Sequence, residues 1–342
     1  MSKIKRNIYL FALIGIVLLG LFIWDFFTGH IKIPFNELFL YLNPFSESSE
    51  EYYLIIREFR LPRVLISVLS GAALSVSGLL MQTMFRNPLA GPYVLGISSG
   101  ASLGVALMVL GTGTVFSGQL SIVSGVAVVI SAAIGAALIM FLIVAVSMRI
   151  SDILSILIIG ILIAGIVGAI VNLLQFFAED VNVKSFVVWT MGSLSAVSFN
   201  DIKLLSPIVI IVLSAGFLLS KYLNIMLLGD DFAVSMGISL KVMRVVVFTA
   251  VSLLAGSVTA FCGPLGFIGI AVPHVARWIF NCSNHFILIP ACILIGACFM
   301  LTGDLLTHLI PKQGVLPVNA VTAIIGAPFV VWIVIKNKRT VI

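Results

Sequence analysis

Runs of about twenty consecutive apolar residues, the length a helix needs to cross roughly 30 Å of hydrocarbon, follow one another along this chain and limit its fold more than any other feature. Inside a bilayer every backbone N–H and C=O must be satisfied within the protein, which leaves helices or closed barrels. Barrel strands would show short alternating stretches, whereas the runs here are continuous, so the chain reads as an all-α polytopic membrane protein. With 61% hydrophobic and 9% charged residues among 342, it lacks the polar side chains that an ordinary soluble surface requires.

Charges, prolines and glycines divide the chain into about ten spans, near residues 8–27, 61–83, 92–111, 120–147, 153–176, 202–220, 243–262, 267–280, 286–305 and 318–335, within one membrane domain covering 1–342. The first run follows MSKIKR, is too long for a signal peptide and precedes no small-residue cleavage site, so it reads as a retained helix. Ten spans put both termini on one side of the membrane. With that side inside, the inner segments hold Lys3, Lys5, Arg6, Arg86, Arg149, Lys221, Lys241, Arg244, Arg277, Lys336, Lys338 and Arg339, twelve of the nineteen Lys and Arg, against Asp152, Asp230 and Asp231. This positive-inside bias places both termini in the cytoplasm of a multi-pass protein of the cell (inner) membrane. The net charge of +6 reports that orientation rather than an affinity for nucleic acid, and lipids are the surrounding partner.

The stretch MFRNPLAGPYVLGISSG, residues 84–100, becomes the inner turn between the second and third spans. Arg86 and Asn87 end a helix at the headgroup level, Pro88 cannot continue it, and Gly91-Pro92 reverses the chain. Gly96, Gly100 and Gly104 recur every four residues and lay three bare patches on one helix face, where another helix can approach closely. The stretch GPLGFIGIAVPH, residues 263–274, repeats this punctuation at the opposite membrane face, as an inverted repeat would.

What is missing narrows the function. No span carries an acid or base near its centre, since Asp25, Asp152 and Asp304 fall near ends, and this counts against an ion-coupled secondary transporter. No GxxxxGK[ST] phosphate loop occurs, and the glycine-rich run 111–118 has no lysine, so ATP and Mg belong on another polypeptide. The four cysteines, Cys262, Cys282, Cys292 and Cys298, show no metal-binding spacing. His274 has no acid or nucleophile at helical spacing and reads as a hydrogen-bonded structural histidine, so no residue is assigned to catalysis and none to a metal or other cofactor.

Two polar segments remain. Within 221–244, Asp230 and Asp231 open a short helical run that Gly237 closes, which suits either a docking element at the inner surface or a solvated loop. After an outer loop near 28–58, Arg57, Arg60 and Arg63 recur every three residues and would share one helical face. Either an acidic partner outside or lipid phosphates would hold them there.

The run RLPRVLISVLSGAALSVSGLLMQTMFRNPLAGPYVLGISSGA closely resembles the second and third helices of the permease family that imports iron-siderophores, haem and vitamin B12 with ABC ATPases. The likeness continues through WTMGSL at 189–194, LGDDFAVSMGI at 228–238, GPLGFIGIAVPHVAR at 263–277 and LPVNAVTAIIGAPFVVWI at 316–333. It implies a ten-helix subunit working as a homodimer, or beside a related copy, with a cytoplasmic ABC ATPase dimer and a periplasmic or surface-anchored substrate-binding protein. By the same resemblance Asp230, Asp231, Ala233, Met236 and Gly237 couple to the ATPase, and Arg60 and Arg63 dock the binding protein, with Arg57 added by spacing. Asn172, Gln175 and Ser193 are candidates for lining the path. Two departures stand out: Val315-Leu316-Pro317-Val318-Asn319 where many relatives have Glu-Leu-Pro-Ile/Val-Gly, and His308 where part of the family has an outer arginine. The implied cargo is a ferric siderophore or haem, with vitamin B12 as the alternative.

Overall fold

The computed structural model describes residues 3–29, 31, 33–34, 50–111, 125–150, 152–309 and 316–337. Most of the outer loop expected near 28–58, nearly all of the glycine-rich run 111–118, and Lys32, Lys312, Val315, Lys338 and Arg339 lie outside the described residues. Among those described, all regular structure is helical.

Helix α1 covers Lys3–Phe27 and is followed by α2, Glu50–Ile55, a π turn at Ile56–Arg60, and α3, Leu61–Met84. A 3₁₀ turn at Pro92–Leu95 leads into α4, Ile97–Val109, and then α5, Gly125–Arg149, and α6, Ile153–Phe177. Next come α7, Asp180–Thr190, α8, Phe199–Leu218, α9, Ser220–Met226, and α10, Asp230–Ser235. The chain closes with α11, Leu240–Cys262, α12, Ile268–Phe280, α13, His285–Leu309, and α14, Val318–Asn337. Among the described residues seven helices are long and apolar enough to cross a membrane, and three shorter apolar ones, Ile97–Val109, Ile268–Phe280 and Val318–Trp332, complete the ten runs read from the sequence.

Two boundaries differ from the sequence reading. The helix carrying Leu61 begins eleven residues earlier, at Glu50, so the end of the expected outer loop is helical. Pro62 looks like a helix start because its ring crowds the carbonyl four residues back and it lacks an N–H. The wide π turn just before it absorbs that misfit and lets the helix run through. The third span is split at Gly96, whose φ of 78° is left-handed, so the chain turns once more before α4 begins.

Helix α3 is the centre of the bundle. Its apolar window is 83% buried, against 17% for α6, which leaves α6 on the periphery with apolar side chains facing outward. Small residues set the close approaches, because hydrocarbon tails are as apolar as leucine and give helices no hydrophobic reason to associate. A methyl group added at Gly71 would meet the carbonyl oxygen of Gly296 on α13 at 2.2 Å, and one at Gly104 would meet that of Ser131 on α5 at 2.0 Å. Gly100 likewise sits 2.5 Å, on the same measure, from the Gly135 carbonyl, so Gly100 and Gly104 form a packing face against α5, whereas Gly96, expected on the same face, lies in the turn before α4 with Gly160 of α6 as its nearest neighbour.

Local caps set several helix ends. Asp152 accepts from the backbone N–H groups of Leu154 and Ser155 at the start of α6, and Ser198 forms a reciprocal capping box with Asp201 at the start of α8.

Candidate functional site

At the end of the bundle expected to be cytoplasmic, the turn after α3 and the short helix α10 come together. Gly229, with φ 123°, admits the chain to α10, and Gly237, with φ 82°, releases it. Ala233 is fully buried, while Phe232 at 45% and Met236 at 59% exposure project outward with Val234. A six-residue helix is too short to be stable alone, so Ala233 anchors it and the apolar outer side is left for something else. Of the five residues expected to couple, Ala233 is therefore corrected to an inward anchor, because the helical period that exposes Phe232 and Met236 turns it into the bundle.

Asp230 forms an ion pair with Arg86 of the turn after α3. Arg86 itself holds a left-handed φ of 45°. Asn87 accepts from the N–H of Leu89 at 2.9 Å, a local Asx turn. The carbonyl of Pro88 hydrogen-bonds His274 Nε2 on α12 at 2.8 Å, which gives that histidine a structural partner. One turn inward, Arg277 donates to Gln82 Oε1 at 2.6 Å and Gln82 donates to the Ile270 carbonyl at 3.2 Å.

The opposite end of α3 carries the three arginines, which do not share a face. Arg57 is exposed, donating to the Tyr53 hydroxyl at 3.0 Å beside Glu58. Arg60 and Arg63, only 4% and 5% exposed, turn inward. The cause is the C-terminus of α1, whose last carbonyls carry the negative end of its dipole and accept from both guanidinium groups. Arg60 donates to the carbonyls of Phe26, Phe27 and Ile31. Arg63 donates to the carbonyls of Asp25 at 2.9 Å and Thr28 at 2.8 Å. It also pairs with the Asp25 carboxylate at 3.1 Å and with Asp304 of α13 at 3.0 Å, while His308 Nε2 lies 2.8 Å from its second nitrogen. Asp25, Arg63 and Asp304 thus bind α1, α3 and α13 in one buried charge cluster, which sequence spacing missed because its members lie on three helices.

Two cavities open at this end. One of about 290 Å³ is bordered by Gly29, Phe59, Arg60, Arg63, Ser195 and His308. The other, of about 390 Å³, is bordered by Arg57, Tyr53, Glu58, Phe199, Asn200 and Lys203. Lys203, one turn into α8, borders the same cavity as Arg57, which sequence spacing did not show. Asn172 lies exposed on α6 among outward Ile166, Leu173 and Phe176, Gln175 is half-buried one turn on, and Ser193 is exposed with its N–H held by the Cys262 carbonyl at 2.9 Å. Asn319 accepts from the N–H of Gly266 at 3.0 Å and donates its own N–H to the Met191 carbonyl, so it joins the loop before α12 to the segment after α7.

The sequence model described as the FecCD transport family matches residues 16–336. A Helicobacter pylori protein described as an iron chelatin transport system permease is 34% identical over 86% of this chain and 86% of its own length. The hemin transport system permease HmuU of Yersinia pestis is 32% identical over 91% of this chain and 90% of its own length, and the vitamin B12 import system permease BtuC of Klebsiella pneumoniae is 33% identical over 83% of each. A solved inward-facing structure assigned to the metal-chelate type of ABC transporter superposes with a TM-score of 0.83 at 25% identity, over 96% of this chain and 99% of that one.

Proposed function

This chain belongs to the FecCD transport family and is a multi-pass permease of an ABC importer, and we propose that its cargo is a ferric siderophore or haem. Relatives described as iron chelatin and hemin permeases support an iron chelate, while BtuC relatives keep vitamin B12 as the competing cargo.

In the proposed mechanism a cytoplasmic ATPase dimer, which holds ATP and Mg, grips α10. The observation that carries this is the outward apolar side of Phe232, Val234 and Met236 on a helix anchored by Ala233 and bounded by two glycines. Closure of the ATPase shifts α10 and the helices behind it between outward-open and inward-open arrangements. Asp230, Asp231, Met236 and Gly237 lie at the contact. No bond is made or broken in the cargo by this chain, which holds no resident cofactor. Both termini lie in the cytoplasm, and a second copy of the permease completes the path, with Asn172, Gln175 and Ser193 among its lining.

At the outer end a substrate-binding protein docks. Arg57 offers the accessible charge, and Arg60 and Arg63 shape the surface from beneath.

Uptake in cells lacking the gene tests the cargo. Radiolabelled ferric siderophores, haemin and cobalamin are compared with and without the complementing chain. Loss of an iron-chelate signal that the gene restores supports the proposal, loss of cobalamin uptake alone replaces its cargo, and no loss in any of the three rejects it.

A further inference from the structure

The turn after α3 is fastened on two sides, and Arg86 stands between the fastenings. On one side Asp230 of α10 pairs with its guanidinium, across 144 residues of sequence. On the other the Pro88 carbonyl is held by His274, and Gln82, at the last turn of α3, is held by Arg277, both on α12. Helix α12 lies against α3 with almost no slack, since a methyl group added at Gly269 would meet the Leu74 carbonyl oxygen at 3.0 Å.

Arg86 occupies a conformation that suits glycine or asparagine and disfavours a long side chain, at φ 45°. Backbone geometry alone gives no reason for arginine there; the guanidinium and its pair with Asp230 do. Helix α10 is only six residues long. Gly229 and Gly237 flank it, neither with a neighbour within 4 Å of where a Cβ would sit, and Ala233 is its buried residue.

We propose that Arg86 is a positioning residue for transport: its ion pair with Asp230 ties the coupling helix to the turn after α3, and through Pro88 and Gln82 to α12. The proposal rests on the coupling role given to α10. Movement of α10 then pulls on the ends of α3 and α12 together. Without the pair, α10 follows the ATPase while the bundle lags, and hydrolysis continues with less transport.

The test uses the full importer in proteoliposomes, with retained ATPase, ATP hydrolysed and cargo accumulated measured on the same preparation. Radiolabelled haemin, ferric hydroxamate and cobalamin are supplied in parallel, and the ratio is read with whichever the unmodified importer accumulates. Arg86→Asn keeps a residue that tolerates the left-handed turn but removes the charge, and Arg86→Lys keeps the charge. With Arg86→Asn the ATPase is expected to stay bound and to hydrolyse ATP, while cargo moved per ATP falls several-fold. Arg86→Lys is expected to recover most of that loss. An unchanged ratio in Arg86→Asn overturns the proposal, because turn geometry would then suffice. Loss of the ATPase from the same variant also overturns it, by making Arg86 a docking contact. Failure of the underlying coupling role shows separately, as ATPase retained after Phe232→Asp with Met236→Asp.

Discussion

Gly78 of α3 faces Gly269 of α12 so closely that a methyl group added to Gly78 would lie 1.7 Å from the Gly269 carbonyl oxygen. The two backbones touch where side chains would ordinarily stand between them. Helix α12 therefore reports the position of α3 directly, and the residues at their shared inner end, Gln82, Arg277, Pro88 and His274, keep the two in register.

Gly78→Ala is expected to lower the melting temperature of the detergent-purified protein, by an overpacking cost of about 3 kcal/mol, because a backbone oxygen cannot rotate away. Gly165→Ala on α6, with nothing within 4 Å of the added methyl group, is expected to change stability by less than about 1 kcal/mol. Equal losses in the two variants would contradict the tight α3 to α12 contact.

Arg63→Met strands the Asp25 and Asp304 carboxylates, both buried, and is expected to cost about 3–5 kcal/mol. Adding Asp25→Asn and Asp304→Asn removes the stranded charges and should recover part of that loss. Arg57→Met, at an exposed pair, should cost less than about 1 kcal/mol. Thermal melts of the series decide it, and a harmless Arg63→Met would mean that the cluster does not hold α1 to α13.

Arg57→Glu combined with Lys203→Glu reverses both cations bordering the larger outer cavity. Binding of the soluble partner to the permease in nanodiscs is expected to weaken, more at low ionic strength than at high, since exposed charges are screened. If binding is unchanged at both, the partner docks elsewhere and lipid phosphates become the better occupants.

Asp230→Lys with Asp231→Lys, and separately Phe232→Asp with Met236→Asp, are expected to abolish co-purification of the ATPase while the permease keeps its melting temperature. Ala233→Asp should differ in kind, destabilising the permease itself, because that side chain is buried. Co-purification surviving both double variants would sink the coupling role of α10.

The ten apolar runs, Gly100 and Gly104 on α4, and the ends of α10 at Asp230 and Gly237 were legible in the sequence, and for one reason. A membrane helix satisfies its own backbone hydrogen bonds, so length, period and the glycine that opens or closes it are recorded in consecutive residues. His274 was legible in the same limited way: the absence of a helical partner said structural, though the Pro88 carbonyl that holds it lies 186 residues earlier. Where a proline stood inside the helix, as at Pro62, the same local logic misplaced a boundary that a π turn had absorbed.

Helix period says that Arg57, Arg60 and Arg63 lie near one another, and resemblance says that Arg60 and Arg63 meet a partner outside. Neither says that the end of α1 packs there, 38 residues before Arg63, with backbone carbonyls that accept from both guanidinium groups and a buried carboxylate, which together draw two of the three inward. The pairing of Arg86 with Asp230 and of Gly78 with Gly269 was hidden for the same reason. By itself the sequence determined how many apolar runs there are, about where each lies and where small residues leave a face bare. Only the tertiary structure decided which helix meets that face, because between apolar helices in an apolar solvent the choice rests on close backbone fit and on charges with nowhere else to go.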